Sequence, residues 1–575
     1  MEERYFLLRS HLEHFKKGRN YEFKLEDVDA IWCCSRKNTK RIIRQLEDKQ
    51  LITYQPGKGR GNVSKVTYFT SFQEEIETFI NGCLKKRELE KIAEILRLPI
   101  PKSWVVKFSN EIRGLLGIKH DQTELKDVLY AFKARDIKSL DPLRVSFALE
   151  THLLEYLGDT LIRYNNENDC FIPHIAHNFD VDTSGKVWTF YLRKGVFFHN
   201  HDYVTSTDVA YMINRFKNAP PSYSWLVRNI QKVECPHPYK VEFHLDEPNP
   251  FLLRYLSAPI FCILPSNVEF DESEWSGTGP FIVKERTNKK LVLQANDFYF
   301  KERPLIDEIQ FYHVSNEAVK MLYLSSEEDM SQIKPTRHKI TNSGVQLLSF
   351  NLNRKNIIQQ QTFREAIFHI FDVQKMAKDL EIDLVEASSL DIERSKSISK
   401  SSNDIHTLIQ LSGYGGEILN LYCFDHERAR REGEWLKKEA NKYGVHMNVY
   451  PASYPDVLKE GIEEEIDILI IGLSLSFDKH LAFSYAFMNK SLLFNRLFSK
   501  KVEAFVHRKI RLFELEVDSV KRTQIMDEVE HYLQSELAMF FLYHPIITRN
   551  LDSNIRDVES HSFGHIDYTK LWIPS

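Results

Sequence analysis

No run of about twenty consecutive apolar residues occurs anywhere in this sequence, so no transmembrane helix of ordinary length is expected. The opening stretch MEERYFLLRSHLEHF lacks the apolar core of a secretion signal and has no cysteine placed for lipidation, so a cytoplasmic protein with no membrane partner is expected. Cysteine is scarce: seven residues, at 33, 34, 83, 170, 235, 262 and 423, with no C-x-x-C pair. That set excludes a disulfide framework and predicts reduced, mostly buried thiols. Also missing are G-x-S-x-G, H-E-x-x-H, both glycine-rich nucleotide loops and any paired-carboxylate motif, so neither an enzyme nor a cofactor is expected. His11 with His14, and His561 with His565, have ligand-like spacing but no carboxylate or cysteine companion, and no metal site is assigned to them. There is no internal repeat.

What is present is an ordinary globular composition: 42% hydrophobic, 27% charged and 12% aromatic residues in 575. A chain this long exceeds one core and predicts about three or four folding units. The net charge of −4 conceals an asymmetry. Residues 1–70 hold fifteen Lys or Arg against nine Asp or Glu, which leaves the remainder at −10. Basic charge concentrated at one end suits a polyanionic partner.

That charge centres on 31–69, IWCCSRKNTKRIIRQLEDKQLITYQPGKGRGNVSKVTYF. A helix capped by Ser35 and running to about Lys49 places Lys37, Lys40, Arg41 and Arg44 on one face and Ile42, Ile43 and Leu46 opposite. A shorter helix over 25–31 precedes it, separated by a turn at Cys33 and Cys34. Two β-prone runs come next, 51–54 and 63–69, joined by QPGKGRGN. A basic stripe alone is commonly a solvated face, but with a hairpin behind it the pattern reads as an α+β winged helix-turn-helix. Its expected contacts with duplex DNA are Arg36, Lys37, Lys40, Arg41 and Arg44 on the helix and Lys58, Arg60 and Asn62 on the wing. Tyr5, Phe6, Leu8, Leu12 and Phe15 predict a third helix packed behind.

Residues 71–120 show three further amphipathic helical patterns and read as a connector, either a dimerisation surface for a homodimer or a spacer. After that the pattern becomes mixed α/β. Trp188, Phe190 and Leu192 alternate, as do Val241, Phe243 and Leu245, which predicts half-buried strands. Between 419 and 472 the order is strand (LNLYCF), helix (about 426–443), strand (VHMNVY), helix (about 454–462) and strand (IDILIIG), two βαβ units with a parallel sheet. The serine-rich piece 388–403 reads as a loop.

Residues 172–216 contain LRKGVFFHNHDYVTSTDV, which resembles the signature of the family 5 extracellular solute-binding proteins through Leu192, Arg193, Gly195, Val196, Phe198, His199, Asp208 and Val209. SLDP at 139–142, GTGPFIV at 277–283, RPLIDEIQF at 303–311 and FREAIFHIFD at 363–372 agree in order. The resemblance covers 121–575 and implies a two-lobed α/β periplasmic-binding-protein-like domain, its second lobe at about 350–480, enclosing a small-molecule solute. It also implies that His199 to Asp202 form a turn rather than a metal site. A winged helix upstream of such a domain resembles the SgrR family of bacterial transcriptional regulators. That resemblance implies a ligand-responsive regulator, a setting in sugar or sugar-phosphate stress, and RNA polymerase as a further partner.

Open α/β sheets bind ligands beyond the carboxyl ends of their strands. That rule selects Gly472, Ser474, Ser476 and Asp478, with Asn351 and Asn353 at the crossover between lobes. Peptide receptors of the family place in this loop an aspartate that pairs with the ligand's ammonium, and the corresponding position here is Ser476 or Asp478. The alternative function is the solute-binding component of an ABC transporter.

Overall fold

The computed structural model describes residues 2–15, 20–57, 63–121, 124–134, 136–145, 148–324, 336–341, 344–396, 404–453, 456–457, 459–476, 478–551, 554–561 and 565–574. The N-terminal unit runs α1 (Glu2–Phe15), β1 (Asn20–Phe23), α2 (Leu25–Ile31), α3 (Arg36–Asp48), β2 (Ile52–Gln55) and β3 (Ser64–Tyr68), with an antiparallel sheet in the order β1-β3-β2. Helix α3 has the two faces its periodicity predicts: Thr39, Ile42, Ile43 and Leu46 are buried while Lys37, Lys40, Arg41 and Arg44 are exposed. Ser35 stands at its N-cap position, but the hydroxyl makes no capping bond. Tyr5, Phe6, Leu8 and Leu12 pack α1 into the same core.

Arg9 of α1 is fully buried, which requires a partner for its charge. It is ion-paired with Glu75, donates to Thr70 O at 2.5 Å, and lies 4.3 Å from the centre of the Tyr68 ring. This ties α1 and β3 to the next helix, α4 (Phe72–Lys86), which is followed by α5 (Leu89–Arg97), α6 (Ser103–Val106) and α7 (Ser109–Leu115). The apolar stripes of α4 to α7 lie in one cluster with α1, α3 and residues Phe132, Tyr312, Val314, Ala318 and Leu322 further along the chain. The expected connector is therefore a packed part of the N-terminal unit, because its stripes are covered by this chain's own core.

The first lobe contributes β4 (Gly117–Asp121), β5 (Lys126–Lys133), α8 (Ala148–Leu157), the hairpin of β6 (Ile162–Asn165) and β7 (Cys170–Pro173), β8 (Ala176–Val181), β9 (Val187–Leu192), α9 (Ser206–Lys217), β10 (Ile230–His237), β11 (Lys240–Leu245), β12 (Phe281–Arg286), β13 (Lys290–Ala295) and β14 (Glu308–His313). These form sheets in the orders β10-β11-β9-β8 and β12-β13-β14-β5-β4. The expected alternation holds, with Trp188 opposite Phe243 and Phe190 opposite Val241.

The second lobe is built on β15 (Thr336–Thr341), β16 (Gly344–Phe350), β17 (Leu384–Glu386), β18 (Leu419–Phe424), β19 (Met447–Ala452), β20 (Ile468–Ser474) and β21 (Met539–Leu551). Its sheet order is β15-β21-β16-β20-β18-β19, with β17 on β21. β18 is parallel to both β19 and β20, as two βαβ units demand. The helix expected over 454–462 is different: positions 454, 455 and 458 lie outside the described residues, and a 3₁₀ turn, Ile462–Glu464, leads into β20.

The histidine corner is a turn. Phe198 N donates to Asp202 O at 2.9 Å, His201 adopts φ +69, and His199 N donates to Gly277 O at 2.7 Å. None of the seven cysteines is in a disulfide, but only Cys83, Cys262 and Cys423 are buried, so the expectation of mostly buried thiols fails for Cys33, Cys170 and Cys235, which are exposed.

Candidate functional site

Two sites emerge, a basic helix face and a cleft between the lobes. On the first, Lys37, Lys40, Arg41 and Arg44 project from α3 into solvent. Arg36 is different. Its Nε lies 2.6 Å from Asp29 Oδ2 and its Nη2 3.6 Å from Glu26, both on α2. Asp29 also accepts from Thr39 Oγ1 at 2.5 Å, so one carboxylate on α2 holds both the start and the second turn of α3. Lys58, Arg60 and Asn62 lie outside the described residues.

The second site is a cavity of about 700 Å³ lined from both lobes and from the C-terminal segment. The first lobe supplies Glu155, Tyr156, Asp159, Thr160, Arg163 and Tyr164, then Ser257 to Pro259 and Tyr299 to Glu302. The second supplies Ser476, Asp478 and Leu481, and the chain end adds Asp567 and Thr569. Its size suits a small solute.

The cavity's first-lobe wall is organised by Asp159, a buried carboxylate. Oδ1 accepts from Arg163 Nη2 at 2.8 Å and Tyr299 OH at 3.0 Å and meets His174 Nε2 at 2.6 Å, while Oδ2 accepts from Thr278 Oγ1 at 3.0 Å. These bonds fix the Arg163 guanidinium and the Tyr299 ring at the cavity edge. His174 is sealed from solvent, and that burial pushes its pKa down to about 4, so it is a neutral donor to Asp159.

On the opposite wall Asp478 caps the helix Lys479–Met488, accepting from His480 N and Leu481 N at 3.0 Å each. Its Oδ1 also accepts from Arg254 Nη1 of the first lobe at 2.6 Å, with both side chains buried. Arg254 reaches Asp169 Oδ1 at 2.5 Å and stacks 5.0 Å from Tyr164. Asp478 Oδ2 is buried and has no hydrogen-bond partner among the described residues.

Of the six residues selected for the cleft, Ser476 and Asp478 reach it. Gly472 and Ser474 do not, because β20 continues two residues past its expected end and pairs them with Gln346 and Gly344 of β16. Asn351 and Asn353 do not stand at the crossover between lobes, because they follow β16 within the second lobe, where they tie loops together. Asn351 Nδ2 donates to the carbonyls of Glu463 (2.5 Å) and Ile466 (2.9 Å), and Asn353 Nδ2 to those of Arg496 (3.2 Å) and Phe498 (3.1 Å). Sequence reasoning missed Asp159, Arg254 and Tyr299, whose roles arise from pairings with distant residues, and Arg163, whose partner Asp159 is only four residues away.

Residues 171–492 match the family model described as bacterial extracellular solute-binding proteins, family 5. That is more than half of the chain. The chain belongs to family 5 of the bacterial solute-binding proteins. Residues 1–110 match a second model, the N-terminal region of the sugar transport-related sRNA regulator, so the chain carries an SgrR-like N-terminal match ahead of its family 5 domain. It is 26% identical over 316 residues to the HTH-type transcriptional regulator SgrR of Photorhabdus laumondii, and 53% of each chain is covered. The match thus spans about half the length of that relative. The protein YhjP of Bacillus subtilis is 27% identical over 572 residues, covering 97% of this chain and 96% of that one. Among solved structures, the fold resembles the periplasmic binding protein DppA of Helicobacter pylori in complex with the peptide STSA, with TM-score 0.68 at 17% identity over 78% of this chain and 98% of that one. It also resembles a dipeptide binding protein of Pseudoalteromonas in complex with Met-Leu, with TM-score 0.66 at 17% identity over 78% and 100%. These matches establish the two-lobed α/β fold of the family 5 domain. No helix among the described residues is long and apolar enough to cross a membrane.

Proposed function

We propose that this chain is a cytoplasmic, ligand-responsive transcriptional regulator whose N-terminal unit is a winged helix-turn-helix that binds duplex DNA, and whose family 5 domain senses a small solute. The observation that carries this reading is the exposed cationic face of α3, backed by a buried apolar face and followed by the β2–β3 hairpin. An SgrR-type N-terminal match over 1–110 supports it. The contacts assigned to DNA are Lys37, Lys40, Arg41 and Arg44, with Lys58, Arg60 and Asn62 on the wing and with Arg36 held back against α2.

A duplex selected from a random pool by the full-length chain supplies the test. Replacing one base-reading arginine costs about 1–3 kcal/mol and relaxes specificity, so Arg41→Ala with Arg44→Ala together lower affinity at least tenfold, while Arg36→Ala lowers it less than either single change. Wild-type footprints from the double variant would exclude this reading.

The solute class follows from the cavity's charge. Glu155, Asp159, Glu302, Asp478 and Asp567 face Arg163 and Lys301, and Asp478 is already paired with Arg254. An excess of carboxylates repels phosphate monoesters, so the solute is a neutral or cationic molecule rich in hydroxyl or amine donors, such as a sugar, an amino sugar or a short peptide. Under the alternative reading, the solute-binding component of a transporter, the α3 substitutions leave function unchanged.

A further inference from the structure

The described start of the crossover that takes the chain from the first lobe to the second, residues 313–324, is embedded in the core of the N-terminal unit. Strand β14 ends at His313 in the first lobe's sheet, the helix Asn316–Leu324 comes next, and β15 then pairs with β21 in the second lobe's sheet. On that path Val314, Ala318 and Leu322 are wholly buried, and they belong to the apolar cluster that holds α3, α5 and α7. Polar contacts reinforce the packing: Arg97 Nη1 donates to His313 O at 3.1 Å and Ser315 N to Leu96 O at 3.4 Å. Nearby, Lys290 on β13 pairs with Glu90 on α5 at 3.2 Å, and Lys289 pairs with Glu3 on α1.

We infer that the contact of residues 313–324 with α5 and α7 transmits lobe closure to the DNA-reading helix, an inference that rests on the regulator reading above. A two-lobed receptor can close only by changing the path of its crossovers, and here the start of one crossover lies in the apolar cluster to which α3 also belongs. Close-packed cores do not deform continuously, so a shifted crossover helix moves the elements that pack on it or repacks against them. Across the lobes the arrangement seen here is held by the buried Arg254–Asp478 pair and by Glu514, which pairs with Arg228 and accepts from Tyr255 OH at 2.5 Å.

The test uses the full chain and the duplex it selects. Arg254→Gln removes the cross-lobe pair; Asp478→Asn, which keeps the side chain's size, serves where the first variant does not fold. Faster amide exchange in the helix Lys479–Met488 marks the loosened lobes. The expected result is that exchange also changes in 316–324 and 36–48, and that duplex affinity changes at least about fivefold, the lower end of ordinary allosteric coupling. Adding Leu322→Ala, which thins the crossover contact, reduces that change to less than twofold. Loosened lobes with unaltered 36–48 and unaltered affinity, the same change with and without Leu322→Ala, or no loosening in either variant would overturn the inference. A wild-type chain that selects no duplex defeats the regulator reading instead, while the exchange measurement still decides whether the crossover transmits.

Discussion

Single side chains set the pH response. His174 and His480 are both buried, and in each case burial is the main cause that lowers the pKa, to about 4 and about 3 respectively, with Arg254 and Arg522 adding to the effect at His480. Both folded values lie below the unfolded value of about 6.5, so the unfolded chain binds more protons as the pH falls. The stabilising contribution is therefore complete above about pH 6.5 and is lost as the pH drops toward 4. Between pH 7 and 5 each group accounts for roughly 2 kcal/mol of lost stability. Denaturant melts across that range should show the fall, and His480→Gln should flatten it. A variant as acid-sensitive as wild type would show that His480 does not contribute. Neither histidine was legible in the sequence as a titrating group, because burial is a property of the assembled lobes.

At the scale of elements, local periodicity carried far. The two faces of α3, the alternation of β9 and β11, the strand-helix-strand run from β18 to β19, and the strand β20 each follow from spacing within a dozen or so residues. The insertion of β21 between β15 and β16 does not, since it joins segments some two hundred positions apart and depends on competition among all apolar strands. The cleft loop was half legible for the same reason. The strand-end rule found Ser476 and Asp478, but the pairing of Gly472 and Ser474 with β16 is a long-range fact. The GTGPFIV motif acquires a structural cause: a Cβ at Gly279 would collide with Tyr156 O and lie 2.5 Å from the carbonyl carbon of Leu157, at the end of α8 beside the cavity. Backbone there cannot yield as a side chain tip does, so Gly279→Ala should cost at least about 3 kcal/mol, the upper part of the usual overpacking range. Equilibrium denaturation measures it, and a loss below 1 kcal/mol would show that the end of α8 can move aside.

For the whole molecule, the decisive question is what the cavity selects. Asp478, which occupies one of the two positions where a peptide receptor would hold its ammonium-binding acid, is here paired with Arg254 and bonded to two helix amides through one oxygen, leaving only Oδ2 without a partner. A ligand donor that reaches Oδ2 would gain a charge-assisted bond at a site where an unmet acceptor is costly, whereas a phosphate group would meet a lining dominated by carboxylates. Any solute that binds only the folded closed state raises stability by mass action, about 2.7 kcal/mol at a hundred times its dissociation constant. Thermal melts against sugars, amino sugars, dipeptides and sugar phosphates at equal concentration should therefore give upward shifts in the first three classes and none in the last. Asp478→Asn should lower the shift from amine-bearing solutes by more than that from neutral sugars, because the amide keeps the shape and removes the charge, while the loss of the Arg254 pair weakens closure on both classes alike. Stabilisation by sugar phosphates that survives Asp478→Asn and disappears with Arg163→Gln would reverse the assignment, placing the recognition charge on the Asp159–Arg163 wall rather than on the acids.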